Sequence, residues 1–258
     1  MRRATQELGI VGLGRMGGNL ARHAIEKGMR VVGFSRSGVP GDLVHAGVIE
    51  ARRLADFMTK LGAPRAIFLY LPAGPAVDAV LEKLSGIFQR GDVIVDGGNS
   101  YWGDSIRRHR RLQEHGIRFV DLGTSGGVEG ARHGACFMAG GEHEAVARIE
   151  PILLDLAVKG GYVHAGGPGA GHFTKLVHNG IEFGMLQAIG EGIALLHHYR
   201  ERLDSAEILR CWRHGSVIRS WLIDLMEAAY RTEDIRAIPS YVEDTGEVNW
   251  LVDDAIRI

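Results

Sequence analysis

The chain has 258 residues, 45% of them apolar and 24% charged, which is enough for one large core or two smaller ones and points to a soluble globular protein. Thirty Lys and Arg against 31 Asp and Glu leave a formal net charge of -1, so no global field favours nucleic acid or an anionic membrane, and any anionic partner must be met locally. Two cysteines, no signal peptide and no apolar run near the roughly 20 residues of a membrane helix exclude a disulfide scaffold, a zinc cluster and a membrane span, and fit a reducing cytoplasm.

The first element, LGIVGLG (Leu8 to Gly14), is a β-run closed by glycines, and Asn19 to Lys27 reads as a helix that Gly28 stops. Between them Gly12, Gly14 and Gly17 stand in GxGxxG spacing. A strand, this turn and a helix together bring backbone N–H groups and a helix N-terminus against a pyrophosphate, so the pattern predicts dinucleotide binding. The second strand, MRVVGFSRS, ends in Ser35, Arg36 and Ser37, where an NAD enzyme usually offers an acid to the ribose 2′-OH. Hydroxyls and a guanidinium suit a 2′-phosphate, which favours NADP over NAD. Arg15 and Met16 inside the glycine turn, and Pro72 and Ala73 after the strand AIFLYLP, complete the candidate cofactor set.

DVIVDGGNS and RFVDLGTSGG continue the plan of apolar runs separated by helix-length segments, which implies βαβ units and a mainly parallel, doubly wound sheet. Their ends place Asn99, Ser100, Ser125, Gly126 and Gly127 on one sheet edge, where small polar groups among glycines can meet a polyhydroxy substrate or a nicotinamide. Cys136, between Ala135 and Phe137, reads as a small core residue. Near GGPGAGH, residues 166 to 172, the pattern changes to long helical segments without a convincing strand. The expected division is a Rossmann domain over 1–165 and an all-helical domain over 166–258.

KLVHNGIE then puts Lys175, His178, Asn179 and Glu182 at i, i+3, i+4 and i+7, one stripe on a helix whose other positions are apolar or glycine. This predicts a buried helix presenting a polar stripe to a cleft. A desolvated Lys is a base and a desolvated Glu an acid near neutral pH. Beside a nicotinamide they suit oxidation of an alcohol β to a carboxylate, loss of CO2 and protonation of the resulting enol, without a metal. His197 and His198 read as a helix-end partner and a surface residue, and the Leu, Ile, Trp and Met of Asp204 to Arg236 as core or subunit interface.

GLGRMGGNL, VDGGNS, DLGTSGGVEGARHG, GPGAGHFTKLVHNGIE, WRHGSVIRSWL and VEDTGEVNW, which together run through essentially the whole chain, resemble the short bacterial form of the 6-phosphogluconate dehydrogenases. The resemblance implies a Rossmann domain followed by an all-helical domain. It implies oxidative decarboxylation of 6-phosphogluconate to ribulose 5-phosphate and CO2, with Lys175 as general base and Glu182 as general acid. It further implies that Asn99, Ser125, Gly126, Gly127, His178 and Asn179 contact substrate or nicotinamide, that Arg219 binds the substrate phosphate, and that the protein is a homodimer or homotetramer. Two features depart from the family. Phe183 stands where a Tyr hydroxyl usually meets the phosphate, which leaves a non-phosphorylated or sulfonated aldonate as an alternative substrate. The chain also ends in VNWLVDDAIRI, where related chains continue, so the chain is cut short or its site is completed differently. A β-hydroxyacid dehydrogenase without decarboxylation and a catalytically silent dinucleotide sensor are the other readings.

Overall fold

A computed structural model describes residues 5–233, 235–239, 241–242 and 246–258, and the chain divides into two compact units, Met1–Leu176 and Val177–Ile258. Glu243, Asp244 and Thr245 of the VEDTGEVNW motif lie outside the described residues.

In chain order the first unit runs β1 (Glu7–Val11), α1 (Arg15–Glu26), β2 (Arg30–Phe34), α2 (Gly41–His45), β3 (Ile49–Glu50), α3 (Phe57–Lys60), β4 (Ala66–Leu69), α4 (Pro75–Ser85), β5 (Val93–Asp96), α5 (Trp102–Gln113), β6 (Arg118–Ser125), α6 (Gly127–His133), β7 (Ala135–Gly141), α7 (His143–Leu156) and β8 (Ala157–Gly166). The strands form one sheet in the order β3-β2-β1-β4-β5-β6-β7-β8, parallel except where β7 runs against β6. The chain steps outward from β1 to β3 and then crosses back to β4, so the switch point lies at the carboxyl end of β1. Ligands of such sheets bind there.

Both faces of the sheet are covered, and alternate residues feed two separate cores. Leu8, Ile10, Phe68, Val93, Val95, Val120 and Leu122 join one cluster with residues of α1 and α7, whereas Val11, Ile67, Leu69, Ile94 and Phe119 join another with residues of α4 and α5. This period of two, with both sets apolar, is why the strands read as nearly continuous hydrophobic runs. Helix α1 ends as expected: Lys27 is its C-cap and Gly28 turns at φ +79.

Strand β6 is longer than its sequence suggests. The antiparallel partner β7 keeps Thr124 and Ser125 in the ladder, with Ser125 opposite Cys136, so the expected loop begins only at Gly126. Cys136 corrects its expectation. The strand alternation that buries Ala135 and Phe137 turns the intervening thiol outward, and it is exposed.

Helix α8 (Ala170–His197) starts in the first unit and continues into the second, which also holds α9 (Ser205–Trp212), α10 (Trp221–Thr232) and α11 (Glu247–Arg257). Ile193, Leu209 and Ile223 are the buried centre of the second unit, with Trp212, Met226 and Tyr230 packed against them. Asp204 and Ser220 cap α9 and α10 by accepting from the Glu207 and Ile223 amides. Arg213 ties the two helices together through Asp224 at 2.7 Å and Glu227 at 2.7 Å. His197 ends α8 with its Nε2 3.1 Å from the Tyr230 hydroxyl, and His198 Nδ1 lies 2.7 Å from the Ala194 carbonyl.

The expectation of a buried α8 needs revision. Val177, Ile181, Phe183, Met185 and Leu186 are exposed, while Asn179 is buried and His178 and Glu182 are half-buried. Leu176 and Asn179 are therefore the covered positions of this stretch, and Val177 and Ile181 face outward.

Candidate active site

The glycine turn divides its labour sterically. Gly12 has φ +92, and a Cβ there would lie 2.3 Å from the Tyr70 carbonyl oxygen; a Cβ on Gly17 would lie 2.0 Å from the Gly12 carbonyl oxygen. These two are demanded by the turn and by the close approach of α1 to Gly12 and Tyr70. Gly14 differs: a Cβ there would meet nothing within 4 Å. It is the N-cap of α1, offers no side-chain cap, and no acid occupies the helix's first turn. Open amides and open space at a helix N-terminus are what a pyrophosphate requires, so these residues fit a dinucleotide. Arg15 is exposed and Met16 half-buried beside them.

At the end of β2, Ser35 and Ser37 hydroxyls lie 3.3 Å apart across a turn closed by Gly38, and Arg36 is exposed. Glu50, at the end of β3, accepts from the Val39 amide at 3.5 Å and is itself paired with Arg52 at 3.7 Å. The acid nearest this turn already engages an amide and a guanidinium, and the turn's own exposed guanidinium is that of Arg36.

Pro72 and Ala73 are exposed after β4, and Asn99 is exposed after β5. Leu69, Asp96 and Asp121 share one row across β4, β5 and β6, so the turns that follow β4 and β5 sit at the same sheet edge. Ser125 and Gly126 are half-buried and Gly127 exposed beyond β6; the two glycines adopt φ +108 and +57 to start α6. Tyr70 forms part of the floor. A Cβ on Gly97 would meet its ring at 2.8 Å, its hydroxyl is 3.5 Å from Thr124 Oγ1, and burial pushes the phenol up to about 12, so it remains protonated at neutral pH.

Lys175 reaches this edge because three glycines let α8 touch the sheet. A Cβ on Gly123 would lie 2.6 Å from Lys175 Cβ and 2.9 Å from the Gly171 carbonyl oxygen. A Cβ on Gly171 would meet the Asp121 and Met138 carbonyl oxygens at 2.4 and 2.5 Å, and one on Gly140 the Gly171 amide at 2.3 Å. Asp121, fully buried, receives the start of α8: its carboxylate accepts from the Gly169 amide at 2.7 Å and the His172 amide at 2.8 Å. His172 is buried with Nδ1 2.7 Å from Ser105 Oγ. Sequence reasoning missed Tyr70, Asp121 and His172; an acid inside the apolar run RFVDLG was the available signal for Asp121.

In the second unit His178 Nδ1 lies 3.2 Å from Asn179 Oδ1 and 3.7 Å from Glu182 Oε2, so these three expected site residues form one cluster. Arg219 is exposed in the turn between α9 and α10, its amide donating to the Ser216 carbonyl at 3.2 Å. The first unit thus gathers the glycine turn, Pro72, Ala73, Asn99, Ser125, Gly126, Gly127 and Lys175, and the second gathers His178, Asn179 and Glu182.

Comparison with known proteins agrees with this plan. Residues 7–166 match the family described as the NAD binding domain of 6-phosphogluconate dehydrogenase, and residues 171–202 match its C-terminal domain. A Bacillus subtilis protein, YqeC, whose name assigns it to 6-phosphogluconate dehydrogenase only provisionally, is 43% identical over 98% of this chain and 85% of its own length. A Haloferax volcanii protein named as NAD(+)-dependent, decarboxylating 6-phosphogluconate dehydrogenase is 38% identical over 97% of this chain and 84% of its own. The Plasmodium falciparum 6-phosphogluconate dehydrogenase structure, studied in apo form and with NADP+ or 6-phosphogluconate, superposes with a TM-score of 0.88 at 27% identity; the alignment covers 97% of this chain and 58% of that one.

Gly123→Ala is expected to push α8 from β6, since neither Lys175 Cβ nor a backbone oxygen can swing aside. A displacement of about 1 Å costs on the order of 10²-fold in turnover. Steady-state assays should show kcat lost well before the fold is; a variant with normal kcat would contradict the requirement for this contact.

Proposed function

Because the chain belongs to the 6-phosphogluconate dehydrogenase family, we propose that it oxidises and decarboxylates 6-phosphogluconate to ribulose 5-phosphate and CO2, with reduction of NADP. The observation that carries this reading is the match of both family domains together with a lysine held against the sheet edge beside the Ser125–Gly127 turn. In this reading residues 1–165 hold the dinucleotide, and 166–258 supply substrate and subunit contacts.

Gly12, Gly14, Arg15, Met16 and Gly17 hold the pyrophosphate, Ser35, Arg36 and Ser37 the 2′-phosphate, and Pro72, Ala73 and Asn99 the nicotinamide end. A nicotinamide held there would supply the hydride acceptor for carbon 3 of the substrate. The neutral amine of Lys175 takes the proton of the hydroxyl on that carbon, so a ketone forms β to the carboxylate. The protonated Lys175 then donates a hydrogen bond to the ketone oxygen. The bond between carbons 1 and 2 breaks, its electron pair becomes the double bond between carbons 2 and 3, the carbonyl pair moves onto the oxygen as an enolate held by the Lys175 ammonium, and CO2 leaves. Glu182 delivers a proton to carbon 2 and completes the ketopentose. Asn99, Ser125, Gly126, Gly127, His178 and Asn179 orient the sugar acid, and Arg219 receives its phosphate.

The outward apolar face of α8, from Val177 to Leu186, supports a homodimer or homotetramer. One observation favours a second substrate: Phe183 lacks the hydroxyl that the family resemblance places on the phosphate. A free hydroxyl or a sulfonate at carbon 6 keeps the mechanism and changes only this end of the pocket.

Lys175→Ala keeps the Cβ that packs on Gly123 and removes the amine. The expected result is a fall in kcat of about 10³-fold or more with cofactor affinity unchanged; near-normal kcat refutes the base assignment. Phe183→Tyr should lower KM several-fold, roughly the effect of one hydrogen bond, for 6-phosphogluconate and not for gluconate. Equal changes for both acids would show that position 183 does not read the phosphate.

A further inference from the structure

Arg108 is a charged side chain with almost no solvent: its residue is 1% exposed in the middle of α5. The acceptors it hydrogen-bonds lie at a strand end, a helix N-cap and a helix first turn on the carboxyl edge of the sheet, with Asp104 Oδ2 of its own helix 3.9 Å away. Nε donates to Asp78 Oδ1 at 2.9 Å, on the first turn of α4; Nη1 donates to Asp96 Oδ2 at 3.2 Å, at the end of β5; Nη2 donates to the Gly74 carbonyl at 3.1 Å, at the N-cap of α4. Asp96 passes the connection on. Its Oδ2 also accepts from Ser100 Oγ at 2.8 Å, and its Oδ1 from the Gly98 amide at 3.2 Å. One planar guanidinium therefore bridges the Pro72–Gly74 turn to the turn that carries Asn99.

Stability does not explain this arrangement. A buried ion pair can usually be replaced by apolar groups of similar volume at little cost to the fold, or with a gain, whereas its fixed hydrogen-bond geometry restricts how its partners sit. What is fixed here is the gap between two exposed turns, not contacts inside either core.

We propose that Arg108 is a positioning residue that sets the separation of the Pro72–Gly74 and Gly98–Ser100 turns, and through it the affinity for the nicotinamide half of the dinucleotide. The inference rests on the proposed cofactor site and adds to it a residue that touches no ligand. The adenine half, held at the ends of β1 and β2, lies outside its reach.

The test is titration calorimetry with NADP and with 2′-phospho-ADP-ribose, which lacks the nicotinamide, on the full chain and on Arg108→Lys, Arg108→Met and Ser100→Ala. Lys keeps the charge but cannot span three acceptors, so both Arg108 variants should bind NADP about tenfold more weakly, the loss of roughly one charge-assisted hydrogen bond's worth of order. The fragment should bind as before, within about twofold on the same scale. Ser100→Ala, which removes one hydroxyl and leaves the ion pairs, keeps the question answerable if the Arg108 variants do not fold; it should show the same selective loss, at about threefold. Equal weakening of both ligands, no change in either, or an unaltered protein that gains nothing from the nicotinamide would each overturn the proposal. An unaltered protein that binds neither ligand would remove the cofactor site itself, a different failure.

Discussion

The close seating of α8 on the sheet is the constraint on which the first unit's chemistry depends. A helix normally stands off a sheet because close-packed side chains fill the gap between them. Here Gly123, Gly140 and Gly171 remove the side chains at the crossing, and backbone meets backbone. The resulting contact buries Gly169, Gly171 and His172 at the start of the helix, whose first amides need acceptors. Asp121 supplies them from β6, accepting from Gly169 and His172. A cap of this kind contributes about 1 kcal/mol when local, and more must be at stake where no solvent can substitute. Lys175, the proposed base, is placed by the same contact, so helix seating and the geometry of the proposed site are one property.

Asp96, the last residue of β5, and Asp121, in the middle of β6, stand opposite each other, and each is fully buried. Neither is used as a solvent-facing charge. Asp121 holds the helix that carries the proposed base, and Asp96 holds the turn that carries Asn99 and the arginine that reaches α4. Adjacent strands thus fix two parts of the proposed site through carboxylates whose hydrogen-bonding capacity is spent on backbone and side-chain donors. Tyr70 stands beneath them, bridging towards Thr124. A site on turns gains its precision from such buried polar ties, since loops alone are the mobile part of a fold.

Legibility in the sequence followed how local each cause is. The glycine turn, the strand ends and the Lys175 stripe were readable because a strand, a turn and a helix each impose a short-range period. The dinucleotide fold and the family resemblance follow from those. Arg108 was unreadable: it stands in the run Arg107, Arg108, His109, Arg110 and Arg111, which reads as a solvated face, and only tertiary structure buries one member of it. Cys136 failed for the opposite reason, since apolar neighbours in a strand point to the other face. The apolar positions of α8 suggested burial throughout, but burial needs a partner, and the second unit's core takes Ile193, with Ile189 and Leu196 against it, rather than Val177 or Ile181. The reach of Gly123 to Lys175 spans some fifty residues of sequence and leaves no local trace.

The most direct measurement is simultaneous recording of cofactor reduction and CO2 release with 6-phosphogluconate, gluconate and a sulfonated gluconate, with NADP and with NAD. One CO2 per cofactor reduced, with NADP and 6-phosphogluconate the best pair, is the predicted result. Cofactor reduction without CO2, from any of these acids, would contradict a decarboxylating site built on Lys175 and Glu182.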